Sequence, residues 1–275
     1  MKKSALILCI VCIVLVACGV VLCLVGNAMG DIFESSGKTP DDTVRTVISG
    51  NLSTLVIKSE SADVTIHGGA ESDYIETVGV KSNMLTVKNA GITISDKKDY
   101  LSMVYDTVMN FNGLRNIFFP GRNYDGAKKI DIYLSDASTP KQINIELGEG
   151  NIEITGLSGS TDYGLRVEGD GSVRMKDVNT SSRLDLYVAN GNATLDFVKY
   201  TQLSGGIGTG SLFMQTDLLE QNFDLSCKSG QIYICDESQG TGYVLSSGEA
   251  PRAEFVVENG NINIRDEKNT ENTNN

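Results

Sequence analysis

The stretch Lys141-Gln142-Ile143-Asn144-Ile145-Glu146-Leu147-Gly148-Glu149-Gly150-Asn151-Ile152-Glu153-Ile154 decides the fold. Apolar and polar residues alternate on both sides of Gly150, which is the two-residue period of a strand with one face in a core. Glu149 and Gly150 interrupt the alternation as a turn, glycine supplying the positive φ that such turns need. The segment therefore reads strand, glycine, strand.

The arrangement recurs downstream. Gly150, Gly171, Gly191, Gly210, Gly230 and Gly260 follow one another at intervals of 21, 20, 19, 20 and 30 residues. The second and fourth residues after each are apolar, as in Val173 and Met175, Ala193 and Leu195, Leu212 and Met214, Ile232 and Ile234, Ile262 and Ile264. Ahead of the glycine the alternation runs through Leu184, Leu186 and Val188, or Phe223, Leu225 and Cys227, or Ala253, Phe255 and Val257. Just before it stand Glu149, Asp170, Asn190, Thr209, Ser229 and Asn259, mostly turn formers.

Two all-β architectures accommodate this pattern. Glycine turns between alternating runs suit hairpins, hence an antiparallel β-sandwich or barrel. The other is a β-solenoid, parallel β-helix-like, in which coils of about 20 residues lie one on the next at about 4.8 Å. Near-constant repeat length favours the solenoid, as does a further apolar point at Leu157, Val178, Val198 and Leu218, where each coil returns around the same interior. Upstream, Leu55-Val56-Ile57 with Val64-Thr65-Ile66, and Leu85-Thr86-Val87 with Ile92-Thr93-Ile94, are expected to be N-terminal coils. Residues 96–129 break the rhythm. Leu101, Val104, Val108 and Phe111 fall at helical spacing there, followed by Ile117, Phe118, Phe119 and Pro120. This insertion is read as a cap over an open β edge, or as a contact patch in which Phe118 and Phe119 meet a partner or the membrane surface.

At the N-terminus Lys2 and Lys3 precede an unbroken apolar run from Ala5 to Gly26. As a helix these 22 residues reach about 33 Å, against a hydrocarbon core of about 30 Å. The expected organisation is a cytoplasmic tip and transmembrane helix in 1–26, a linker in 27–49, a β-strand-repeat domain in 50–266 and a disordered tail in 267–275. The two lysines place the N-terminus in the cytoplasm and the domain outside. Leu15-Val16-Ala17-Cys18 also fits a lipobox, making Cys18 a lipidation candidate, and cleavage near Gly26-Asn27-Ala28 is a third reading.

The formal net charge is −12, which argues against nucleic acid and anionic head groups as partners. Of six cysteines, four lie in the apolar run, and Cys227 and Cys235 form no metal-ligand spacing.

The motif from Lys141 to Ile154, its later glycine-centred copies, the aromatic-rich insertion ahead of Ile130-Asp131-Ile132-Tyr133-Leu134 and the N-terminal anchor resemble the putative-adhesin, β-strand-repeat proteins of bacterial envelopes. The resemblance covers about residues 50 to 266 and implies a single-pass or exported protein with a solenoid-like domain. It implies no ligand. The 30-residue interval containing Pro251, expected to be a bulging loop, and the weak copy with Gly205-Gly206 depart from the pattern.

Chemistry is sparse. The single histidine, His67, precedes Gly68-Gly69 at a position suited to a turn, so a His-dependent triad has little to stand on. Three residues after each glycine stand Glu153, Arg174, Thr194, Phe213, Tyr233 and Asn263, which is no carboxylate ladder for glycoside hydrolysis. No calcium nonapeptide, phosphate loop or dinucleotide fingerprint occurs, so no cofactor is expected. The expected function is a non-enzymatic, membrane-anchored bacterial envelope protein whose domain faces outward and binds an envelope protein or cell-wall glycan. An accessory role in envelope-stress signalling is the alternative, and a polysaccharide-acting β-helix enzyme a third.

Overall fold

The computed structural model describes residues 43–48, 52–80, 85–88, 91–95, 128–218, 221–246 and 251–267. Ala5–Gly26, Cys18, Phe118, Phe119 and the tail beyond 267 lie outside the described residues. No helix among the described residues is long and apolar enough to cross a membrane.

The protein is all-β. Its strands are β1 (Val44–Val47), β2 (Thr54–His67), β3 (Tyr74–Val78), β4 (Leu85–Lys88), β5 (Gly91–Ser95), β6 (Lys128–Tyr133) and β7 (Gln142–Thr155). They continue as β8 (Ser158–Gly159), β9 (Asp162–Lys176), β10 (Asn179–Thr180), β11 (Arg183–Asn190), β12 (Ala193–Asp196), β13 (Gln202–Thr209) and β14 (Leu212–Thr216). The last are β15 (Asn222–Ser229), β16 (Ile232–Ile234), β17 (Glu237–Gly240), β18 (Gly242–Leu245), β19 (Arg252–Asn259) and β20 (Ile262–Asp266). Eighteen of them join one mixed sheet, and β8 and β10 form a short parallel pair of their own.

The glycine-centred copies pair with one another and not across their own glycines. In β7, Ile143, Ile145 and Leu147 lie opposite Tyr163, Leu165 and Val167 of β9, while Ile152 and Ile154 lie opposite Val173 and Met175, all parallel. The same register continues from β9 to β11 and β12, then to β13 and β14. Each copy thus has a leading arm before the glycine and a trailing arm after it. Parallel pairing between equivalent arms rules against the hairpin reading of the repeat.

The alternation explains the core. Inward residues such as Leu55, Ile145, Val167, Leu184, Leu195 and Ile262 are essentially inaccessible to water. Burying such a side chain contributes about 1.5–3 kcal/mol. Leu157, Val178 and Val198 join the same core, and Leu218 packs against it. Two buried threonines beside them are satisfied, since Thr161 Oγ1 donates to the Pro140 carbonyl at 2.6 Å and Thr180 Oγ1 to the Thr161 carbonyl at 2.7 Å.

Sequence order and neighbour order differ at both ends. The two runs around Leu55 and Val64 are halves of β2, which stands between β5 and β6 on one side and β7 on the other. Leu85–Lys88 is not a leading arm, as the sequence suggested, but an antiparallel partner of β5. Pairing with β2 before the insertion ends at Ser95 opposite Lys58 and resumes at Lys128 opposite Ala62, so Lys128 and Lys129 are already strand. Val44–Val47, inside the expected linker, is a strand paired with β3.

At the other end β19 lies between β13 and β15, and β20 between β14 and β16. The 30-residue interval is therefore not a simple bulge. Its residues build β17 and β18, which run antiparallel on β16 and β15 and cover their outer edges. With those edges covered, the final copy pairs on the inner side, between two copies that precede it in sequence. The sheet ends on β1 and β4 at one side and β17 and β18 at the other, so among the described residues it does not close into a barrel.

Candidate functional site

The repeat glycines stand where neighbouring copies approach most closely. Positive φ is found at Gly150, Gly191, Gly210, Gly230 and Gly260 but not at Gly171. What they share is close approach: a Cβ on Gly171 would overlap the Gly150 carbonyl oxygen, one on Gly191 that of Gly171, one on Gly260 that of Gly210 and one on Gly230 that of Gly260. They form a column where leading arm passes into trailing arm.

The next residue in each copy forms a polar ladder that the sequence reading missed. Asn151 Nδ2 donates to Asp63 Oδ1 at 2.9 Å, Ser172 Oγ donates to Asn151 Oδ1 at 2.6 Å, and the Ser211 amide to Asn192 Oδ1 at 2.9 Å. The Gln231 amide donates to Asn261 Oδ1 at 2.9 Å. The recurring Gly-Asn, Gly-Ser and Gly-Gln dipeptides were its signal.

The candidate site lies on the outward face of the leading arms. Two rows of outward residues run across the strands there. One contains Asn144, Gly164, Asp185, Ser204 and Glu254, and the other Lys58, Glu146, Arg166, Tyr187, Gly206 and Val256. Gly164 leaves a depression of about 440 Å³ between them. A Cβ at Gly164 would come within 2.7 Å of Asn144 Oδ1, so the Asn144 amide leans over its floor.

The groups around the depression are held in place. Lys58 Nζ donates to Glu146 Oε2 at 2.7 Å. The Arg183 guanidinium grips Asp185 through two nitrogens, at 2.8 Å and 2.6 Å. Ser204 Oγ also donates to Asp185. Burial acts to raise the Asp185 carboxyl, but the hydrogen bonds from Arg183 and Ser204 and the Arg183 charge outweigh it and hold the group below its ordinary range. Arg166 lies over the Tyr187 ring, 4.7 Å from its centre, and its Nε donates to Glu168 at 3.1 Å. A carboxylate held ionised is a hydrogen-bond acceptor and a poor general acid. The face can therefore receive hydroxyl or amide donors, and its aromatic ring can receive an apolar surface.

The other singled-out residues lie elsewhere. His67 ends β2 and stacks on Tyr133 at 4.7 Å; Tyr133 stacks on Tyr74 at 4.4 Å, and Arg45 covers Tyr74 at 3.6 Å. This row ties β1 and β3 to β6. Cys227 is buried and Cys235 half-exposed, both as free thiols. Burial pushes the Cys227 thiol up.

Neither a family model nor a curated protein matches the chain. Among solved structures it is similar to a putative cell adhesion protein from Clostridium sporogenes, at 13% identity and a TM-score of 0.43, covering 82% of this chain and 99% of that one. A putative adhesin from Bacteroides fragilis gives 13% identity and 0.41, covering 84% and 100%. A putative lipid binding protein from Parabacteroides distasonis gives 12% and 0.31, covering 82% and 96%.

Proposed function

We propose that the protein is a non-enzymatic, adhesin-like binding protein of the bacterial envelope, anchored by Ala5–Gly26 and facing outward, with its paired arms wound as a β-solenoid. The parallel register between equivalent arms and the column of closely approaching glycines support the winding. The span length and the lysines ahead of it support the anchor. The observation that carries the binding role is the outward face of the leading arms, where a depression with fixed acceptors and an exposed tyrosine stands over a rigid sheet.

Orientation is tested on intact cells with a membrane-impermeant maleimide directed at the half-exposed Cys235. Labelling is expected without permeabilisation, and labelling only after lysis would place the domain inside. Binding is tested by incubating the full-length chain in nanodiscs with isolated envelope material. Retention of intact material, with no new reducing ends, is the expected result, whereas progressive release of new reducing ends would make the protein a polysaccharide-acting enzyme.

A further inference from the structure

The weak repeat at Gly205-Gly206 has two different jobs on its two faces. Inward, Gly205 lies opposite Phe255, and a Cβ there would come within 3.1 Å of the Phe255 ring and overlap the Leu186 carbonyl oxygen. Outward, Gly206 lies in register between Tyr187 of β11 and Val256 of β19. Arg166 covers the Tyr187 face turned toward β9. The opposite face is turned toward a residue with no side chain.

The result is a slot floored by backbone. Its walls, Tyr187 and Val256, are two strands apart, about 9.6 Å between backbones. Both are among the exposed large hydrophobic residues, 38% and 39% accessible. Allowing for the thickness of the walls, one ring standing on edge fits between them. The adjoining row is polar: Asp185, Ser204 and Glu254 lie in register beside Tyr187, Gly206 and Val256. Asp185 is fixed by Arg183 and Ser204, and Glu254 by Arg252 Nε at 2.7 Å.

Resting on the binding role proposed above, we propose that this slot is a subsite for one neutral pyranose ring of a glycan. A pyranose has an apolar C–H face and a rim of hydroxyls, which matches a slot with apolar walls and a row of oxygen acceptors along one side. Each carboxylate is paired with an arginine, Asp185 with Arg183 and Glu254 with Arg252, so the row offers oxygen acceptors without net charge, which suits a neutral sugar. An extended peptide is the poorer occupant. Strand addition needs an unpaired edge, and β13 is paired on both sides, with β11 and β19.

The test uses the full-length chain in phosphatidylcholine nanodiscs and four neutral probes, the linear tetramers of glucose, mannose, galactose and N-acetylglucosamine, with saturation-transfer NMR and titration as readouts. At least one is expected to bind. Val256→Phe fills the slot from an exposed position, and Tyr187→Ala removes the stacking wall; each is expected to weaken that probe at least tenfold at an unchanged unfolding temperature. Phe213→Ala, an exposed residue of the trailing arms, is expected to retain binding within threefold. Absence of binding by all four sugars, or wild-type binding by Val256→Phe, would overturn the subsite. If envelope material is still captured while every sugar is ignored, only the subsite falls. If envelope material is not captured either, the broader binding role falls with it.

Discussion

Gly171→Ala, Gly191→Ala and Gly240→Ala separate conformational freedom from close approach. Gly240 has φ +83° and nothing within 4 Å of an added Cβ, so alanine there meets only the left-handed backbone, about 1–2 kcal/mol. Gly171 lacks a positive φ, but its added Cβ would overlap the Gly150 carbonyl oxygen. Relief requires the two copies to part locally, straining the β7–β9 backbone ladder and the 2.6 Å hydrogen bond from Ser172 Oγ to Asn151 Oδ1 beside it. Two or three backbone hydrogen bonds weakened at about 1–1.5 kcal/mol each put the loss near 2–4 kcal/mol. Gly191 combines both effects, having φ +142° and an overlap with the Gly171 carbonyl oxygen. Its alanine variant should lose about 3–6 kcal/mol, a large share of a typical domain's stability. Urea unfolding followed by far-ultraviolet circular dichroism on Pro40–Asn275, the compact unit that holds every described strand, gives the three values, since the chain has no tryptophan to report by fluorescence. If Gly171→Ala proved as mild as Gly240→Ala, close approach of the copies at this column would be refuted.

Phe255→Ala should lose about 3–5 kcal/mol by urea unfolding, because the ring occupies the space opposite Gly205 and no neighbour replaces it. Tyr133→Ala, at the centre of the row from His67 to Arg45, should lose about 1–2 kcal/mol and raise amide exchange selectively in Val44–Val47. Asp73 accepts the Ser135 amide at 2.6 Å; burial works against its ionised form, but the hydrogen bonds from Ser135 and Ser138 prevail and hold its carboxyl low. With folded values below unfolded ones, Asp73 and Asp185 contribute stability above the ordinary carboxylate range, and that contribution disappears as pH falls through their depressed values. Asp73→Asn should therefore flatten the acid limb of a stability–pH curve. Tyr163 is pushed up to about 12 by burial, only partly opposed by Thr161, so its contribution is complete below pH 10 and lost toward 12. Spectrophotometric titration should show its ionisation lagging that of the exposed tyrosines.

The sequence carried the repeat because burial alternates with a period of two, and that period survives in Ile143, Ile145 and Ile152 as it does in Leu184, Leu186 and Leu195. It could not give neighbour order. β19 offers Ala253, Phe255 and Val257, whose alternation alone does not distinguish Leu203, Gly205 and Ile207 from Phe223, Leu225 and Cys227; in the fold β19 pairs with both, and β18 covers the other edge of β15. The hairpin of Leu85–Lys88 with β5 was misread for the same reason: alternation marks a strand, not the direction of its partner. The candidate face was hidden because its parts lie about 20 residues apart and include glycines. Gly164 and Gly206 contribute by lacking a side chain, and such a gap has meaning only beside Asn144 or Tyr187 on the neighbouring strand.

The central claim, that the outward face of the leading arms binds envelope material, is tested most directly by cosedimentation of the full-length chain in nanodiscs with isolated envelopes. Three forms are compared: the natural sequence, Tyr187→Ala with Asp185→Ala on the leading arms, and Phe213→Ala, a 42% accessible residue of the trailing arms. The natural sequence and Phe213→Ala are predicted to sediment alike and the double variant to stay in solution. Equal sedimentation of all three, or loss with Phe213→Ala alone, would contradict the account.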